Sequence, residues 1–272
     1  MTRGIGLCLL LLLAGCTSGL EQRQGYSVDR RQAAFGAEPR VKVIVIHYTA
    51  EDFPSSLATL TDKEVSVHYL IPTQPPQHHG TPLIWQLVPE KDLAWHAGTS
   101  YWRGATRIND TSIGIELVNP GYRNTPQGRQ FYPFSSAQIN ALLPLLQDVI
   151  SRYQIAPQNI VGHSDIAPQR KQDPGPRFPW AQLAAAGIGA WPEKQRVATL
   201  LQGRDPYQPV APEALLALLE QYGYEVKAAV TPTQQRKLIA AFQMHFRPAN
   251  YAGQADAETL AIAQALLEKY GR

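Results

Sequence analysis

Between Val41 and Ile46 every residue except Lys42 is valine or isoleucine, and the run stops at His47. A strand of this composition has no polar face to offer water, so it reads as one buried on both sides. Val65 to Ile71, Leu83 to Val88 and Ile113 to Val118 read as further strands bounded by proline and glycine turn signals. Ser136 to Tyr153 carries apolar residues at helical spacing (Ile139, Leu142, Leu146, Val149), with Ser135 or Ser136 available as a cap. Asn159 to Val161 is a short strand leading into His163. Strands alternating with helices predict an α/β fold with a mixed central β-sheet flanked by helices.

The pattern changes after about residue 203. Asp205 to Pro212 is a proline-rich joint, and three helical stretches follow: Pro212 to Tyr222, Pro232 to Phe246 and Ala257 to Tyr270. Thr231-Pro232-Thr233-Gln234 reads as a capping box with proline at the first helical position, and Asp256 can cap the last helix. Residues 204–272 are therefore expected to form a small all-α, three-helix domain behind a larger one at 40–203. A chain of 272 residues that is 44% hydrophobic and 17% charged can bury a real core. A net charge of +3 with no basic run among aromatics excludes a nucleic-acid partner. A monomer is the simplest expectation.

The N-terminus reads as a targeting device. Arg3 is followed by an apolar run from Ile5 to Ala14, too short to span a bilayer and suited to a signal-peptide core. Its ending, Leu13-Ala14-Gly15-Cys16, resembles the lipobox of bacterial lipoproteins. That resemblance implies removal of residues 1–15 and a lipid on Cys16, followed by a polar tether through residue 39. Thr17 after the cysteine implies the outer membrane, with the chain facing the periplasm. The remaining cysteine, Cys8, lies in the segment to be removed, so no disulfide, thiolate nucleophile or cysteine metal ligand remains.

Any metal must then be held by histidine and carboxylate. His47 ends one apolar strand and His163 follows another, and strand ends line the ligand crevice of α/β sheets. Asp173 follows in a loop stiffened by Pro174, Gly175, Pro176 and Pro179. Two histidines and a carboxylate are a standard set for catalytic zinc with the fourth position left to water, whose pKa zinc lowers toward roughly 7. Glu116 lies in an otherwise apolar strand, where an unpaired carboxylate is costly unless it has a use. Lys171 and Asp173 are two apart, so an extended segment would aim both at one site.

Six ordered blocks then resemble the zinc amidases of the N-acetylmuramoyl-L-alanine amidase type 2 family. They are Val43–Thr49, Val65–Ile71, Ala94–Gly98, Asn109–Glu116, Val161–Pro168 and Arg170–Gly175, spanning about residues 40 to 190. The resemblance implies zinc held by His47, His163 and Asp173, Glu116 as the catalytic carboxylate and Lys171 as a helper cation. It also implies peptidoglycan and its muropeptide fragments as partners, cut between muramic acid and L-alanine. The tail resembles a three-helix peptidoglycan-binding domain, but His245-Phe246-Arg247-Pro248 replaces its usual glycine turn. The tail could therefore serve to bind wall or to cover the amidase surface.

Other residues read less sharply. His68 is expected to orient a ligand from mid-strand, and His96 to line the substrate groove without being a ligand. Asp165 reads as a turn or cap residue, and His78, His79 and His245 carry no assigned chemistry. Trp85, Trp95, Tyr101, Trp102 and Arg107 could line a sugar and peptide groove, or the tryptophans could fill the core. A wall receptor on the same fold, without chemistry, is the alternative; the complete residue set argues against it.

Overall fold

The computed structural model describes residues 19–271, so the expected signal segment and Cys16 lie outside the described residues. The chain forms two compact units, one ending at Glu38 and the other beginning at Pro39. In the first, β1 (Leu20–Arg23) and β2 (Tyr26–Asp29) pair as an antiparallel hairpin, so the expected tether has a short element of its own. Its turn uses Gly25 at φ +84°, a left-handed conformation open to glycine without strain.

The second unit opens with β3 (Val43–Tyr48), α1 (Phe53–Leu60) and β4 (Tyr69–Ile71). A small ribbon, β5 (Gln77–His78) with β6 (Thr81–Pro82), precedes β7 (Trp85–Gln86). A second ribbon, β8 (Tyr101–Trp102) with β9 (Ala105–Thr106), precedes β10 (Ser112–Leu117), and a third joins β11 (Tyr122–Thr125) to β12 (Gly128–Phe131). The remainder is α2 (Ser136–Tyr153), β13 (Ile160–Gly162), α3 (His163–Ile166), α4 (Trp180–Ala185), α5 (Lys194–Leu201), α6 (Pro212–Tyr222), α7 (Pro232–Phe246) and α8 (Ala257–Tyr270).

Five strands form the main sheet in the order β13-β3-β10-β4-β7; all are parallel except the edge strand β7. This is the expected mixed sheet. Two of its strands are shorter than their sequences predict. In the stretch from Val65, Ser66 N–H turns away to the Trp95 carbonyl (3.1 Å), and only Tyr69–Ile71 pairs in the sheet. Around β7, Leu83 N–H goes to the Pro76 carbonyl (2.7 Å), which takes it out of the ladder.

The two faces of the sheet bury different partners. Ile44, Ile46, Ile113, Ile115 and Leu117 pack against Ile139, Leu142, Leu146 and Val149 of α2. Ser135 caps that helix by accepting from Gln138 N–H at 3.1 Å. Each such side chain contributes about 1.5–3 kcal/mol by leaving water, which offsets the ordering of the helix. On the other face, Val43, Val45 and Val161 belong to one cluster with Leu215, Leu219, Tyr222, Leu238 and Phe242 from the C-terminal helices. The tail and the sheet thus share a core. Thr231 and Gln234 form the expected capping box of α7, and Asp256 caps α8. Where the glycine turn is missing, Arg247 ends α7 and bonds Asp256 and Glu258, each at 2.6 Å.

Candidate metal centre and active-site cleft

Residues far apart in sequence meet at the C-terminal edge of the sheet. His47 stands near the end of β3, His163 is the first residue of α3, and Asp173 lies in the loop beyond. His47 Nδ1 is 2.9 Å from His163 Nδ1 and 3.0 Å from Asp173 Oδ2, and His163 Nδ1 is 3.1 Å from the same oxygen. All three side chains are buried.

The far side of each ring decides what faces the centre. His163 Nε2–H donates to the Ala97 carbonyl at 3.1 Å. Asn109 holds that segment by accepting from Ala97 N–H at 2.8 Å. His47 Nε2 lies 3.0 Å from His96 Nδ1, and His96 Nε2 lies 3.1 Å from Ser112 Oγ. We assign the protons from this network: Nε2–H on both ligand candidates, with the Nδ1 lone pairs pointing inward. Two lone pairs and a carboxylate oxygen then converge within about 3 Å, an arrangement that repels itself unless a cation sits among them. Zinc bonds of about 2.0–2.2 Å in a tetrahedral site put ligand atoms roughly 3.3 Å apart, so the donor set fits such an ion.

The electrostatics agree with the donor set. Burial, and then the neighbouring His163 ring, lower His47 to about 4, so it is neutral at neutral pH as a ligand must be. Burial pushes the Asp173 carboxyl up, and only positive charge at the centre, on the imidazoles or on a cation held among the three groups, keeps it below the usual range.

Glu116 is paired in register with His47 on the adjacent parallel strand, so both project from the same face. Burial, and then the charge of Asp173, raise its carboxyl well above the ordinary value, with Lys171 opposing. Its Oε2 has no hydrogen-bond partner among the described residues. Lys171 is exposed on the same cleft of about 600 Å³, whose walls also include His96, Trp95, Arg129, Lys237 and Met244.

The structure brings His47, Glu116, His163, Lys171 and Asp173 to this cleft, and His96 with them. Of the aromatic set expected in a groove, only Trp95 lines it. Trp102 is buried in the core, edge-on to Tyr222 and Tyr224. Arg107 is exposed and pairs with Asp110 at 2.7 Å, and Trp85 packs on Phe53 beside a separate groove. His68, just before β4, accepts from Gly114 N–H (3.0 Å) and donates to the Asp92 carbonyl (3.1 Å). His78 and His79 sit on the exposed β5-β6 turn.

Two supports escaped the sequence reading. One is the contact of His96 with His47. Gly114 was its signal: a glycine inside an apolar strand marks close approach, and a Cβ there would lie 2.5 Å from the His96 ring. The other involves Asp165, which caps α3 by accepting from Gly162 N–H (2.7 Å) as expected. It also accepts from Tyr224 Oη (2.6 Å) and His245 Nδ1 (2.7 Å), both from the tail. His245 in turn lies flat on Trp180, with ring centroids 3.8 Å apart. No local pattern announced that clamp.

Comparison with known proteins bears on the site. The family model described as N-acetylmuramoyl-L-alanine amidase matches residues 37–176. The chain is 62% identical over 264 residues to the N-acetylmuramoyl-L-alanine amidase AmiD of Escherichia coli (strain K12), covering 96% of each. It superposes with TM-score 0.91 and 63% identity on E. coli AmiD in complex with the substrate anhydro-N-acetylmuramic acid-L-Ala-D-γ-Glu-L-Lys, covering 93% of this chain and 98% of that one. Pseudomonas aeruginosa AMPDH3 in complex with anhydromuramic pentapeptide superposes with TM-score 0.79 and 43% identity, covering 89% of this chain and 96% of the other.

Proposed function

This chain belongs to the N-acetylmuramoyl-L-alanine amidase family, and from that membership we propose a zinc-dependent amidase acting on peptidoglycan fragments. It hydrolyses the bond between N-acetylmuramic acid, intact or 1,6-anhydro, and the L-alanine of the stem peptide. His47, His163 and Asp173 hold the zinc, which when bound polarises the scissile carbonyl and makes water acidic enough to attack near neutral pH.

The chain's own groups supply the rest. Glu116 accepts the proton of the attacking water at its unpartnered Oε2 and hands it to the amide nitrogen as the C–N bond breaks. Its raised proton affinity suits the first half of that task, because a carboxyl that holds a proton more tightly is the better base. Lys171 brings an ammonium to the cleft, where it favours the negative charge that develops on the carbonyl oxygen. His96 behind His47, and the Ala97 carbonyl behind His163, keep both Nδ1 atoms turned inward.

The observation that carries this reading is the convergence of buried acceptors 2.9–3.1 Å apart, on a cleft that also holds half-buried Glu116, whose buried Oε2 has no partner among the described residues. The Leu13-Ala14-Gly15-Cys16 ending supports a lipid on Cys16 and a place on the outer membrane facing the periplasm. The test is a digest of muropeptides, anhydro and reduced, with the soluble chain from Thr17, read by mass spectrometry. Stem peptide beginning at L-alanine should be released, and release should cease with a chelator or in Glu116→Ala. A protein that retains zinc and binds the fragments yet cuts nothing would be a receptor, and the enzymatic reading would fall.

A further inference from the structure

Helix α7 lies beyond the residues that match the family model, yet it forms part of the active-site wall. Lys237, Ala240 and Met244 are three and four residues apart, so they share one face of that helix. All three line the cleft that holds His47, Glu116 and Lys171. Lys237 Nζ donates to the Gln169 carbonyl at 3.1 Å, on the loop leading to Lys171 and Asp173. That bond engages one of the three ammonium hydrogens and fixes the charge at the rim. No acidic side chain among the described residues pairs with it.

The other cations on this cleft are differently occupied. Arg170 is spent on the Ala97 and Thr99 carbonyls, and Lys171, also on the cleft, is the cation assigned above to the reacting carbonyl. Arg129 lies over the Tyr122 ring, 4.7 Å from its centroid. Lys237 is the cation that the helical tail contributes. Beside it, half-buried Ala240 and almost fully buried Met244 add apolar lining to the wall of the cleft.

We propose that Lys237 is a subsite for a free carboxylate of the stem peptide, so that the helical tail takes part in substrate selection. The inference rests on the amidase reading above. A stem such as the L-Ala-D-γ-Glu-L-Lys bound by E. coli AmiD offers this chemistry twice. A glutamate linked through its γ-carboxyl keeps its α-carboxylate, and the last residue ends in another. An ammonium with hydrogens to spare at a partly solvated rim recognises either one by a charge-assisted hydrogen bond.

The experiment compares Lys237→Ala and Lys237→Arg with the wild type on three substrates. One is the free-acid muropeptide, one carries the glutamate α-carboxyl as its amide, and one carries the C-terminal carboxyl as its amide. Lys237→Ala should raise KM for the free-acid substrate about tenfold with kcat nearly unchanged, and Lys237→Arg should recover most of it. The penalty should collapse on one of the two amides, which identifies the carboxylate. An unchanged KM, or the same penalty on both amides, overturns the proposal. Wild-type turnover in the same assay separates that outcome from failure of the amidase reading. Lys237 is exposed, and melting curves of both variants should match the wild type.

Discussion

Replacing Tyr224 with phenylalanine removes one oxygen from a site that is 1% exposed. That oxygen donates to Asp165 Oδ1 at 2.6 Å, whereas Gly162 N–H and His245 Nδ1 serve the other carboxyl oxygen. Without Tyr224, Oδ1 is left bare in the interior. A hydrogen bond to a charged acceptor contributes about 1.5–3 kcal/mol, and a stranded buried acceptor places the loss toward the upper end. Tyr222 is the control, because it is equally buried, packs on the same Trp102, and its hydroxyl has no partner among the described residues. Tyr222→Phe should be neutral or stabilising by up to about 1 kcal/mol. In a protein of this size each kcal/mol moves Tm by about 2–4 °C, so Tyr224→Phe should melt roughly 5–10 °C lower. Urea unfolding should show the same loss as a lower midpoint at constant slope. Equal shifts for the two variants, or no shift for Tyr224→Phe, would mean that the bond to Asp165 does not fasten the tail to the helix that carries His163.

Glu90 accepts from Arg152 Nη2 at 2.7 Å, Tyr153 Oη at 2.8 Å and Tyr69 Oη at 2.5 Å. The Arg152 bond, acting against burial and aided by the two tyrosines, draws its carboxyl down from 4.5 to about 2. A lowered folded value means stability that is complete above about pH 4.5 and lost as pH falls toward 2. With Arg152 40% exposed, we expect about 1–3 kcal/mol from this group. The Tm difference between wild type and Glu90→Gln should shrink across that window, and a difference that persists undiminished at pH 2 would refute the linkage. At the N-terminus, labelled palmitate should mark the wild-type chain expressed in cells and miss Cys16→Ser; equal labelling would remove Cys16 as the lipid site.

Legibility followed the range of the interactions. The helices α2, α6, α7 and α8 were readable because their periodicity and caps (Ser135, the Thr231-Gln234 box, Asp256) lie within a few residues of each other. The sheet was readable as a class, but Val65 to His68 fell outside it because Ser66 and Trp95 offered each other hydrogen bonds that no local pattern encodes. His47 and His163 stood out as histidines closing apolar strands, and Asp173 through the chemistry of a mixed donor set. The supports did not stand out: His47 to His96, Asp165 to Tyr224 and Asp165 to His245 span 49, 59 and 80 residues. The aromatic stretch misled for a related reason, since composition says that Trp102 must be covered but not by what. The tail provides that cover through Tyr222 and Tyr224.

Alternate positions of β10 answer to different demands. The residues turned to α2 (Ile113, Ile115, Leu117) and those turned the other way (Ser112, Gly114, Glu116) have no member in common. Robustness can therefore be adjusted in one set while the chemistry stays untouched, and the chemistry in the other with little apolar area at stake. The two traits can drift independently along six consecutive residues of one strand. The same interleaving makes that strand intolerant of length change, because a single inserted residue would exchange the two sets at once.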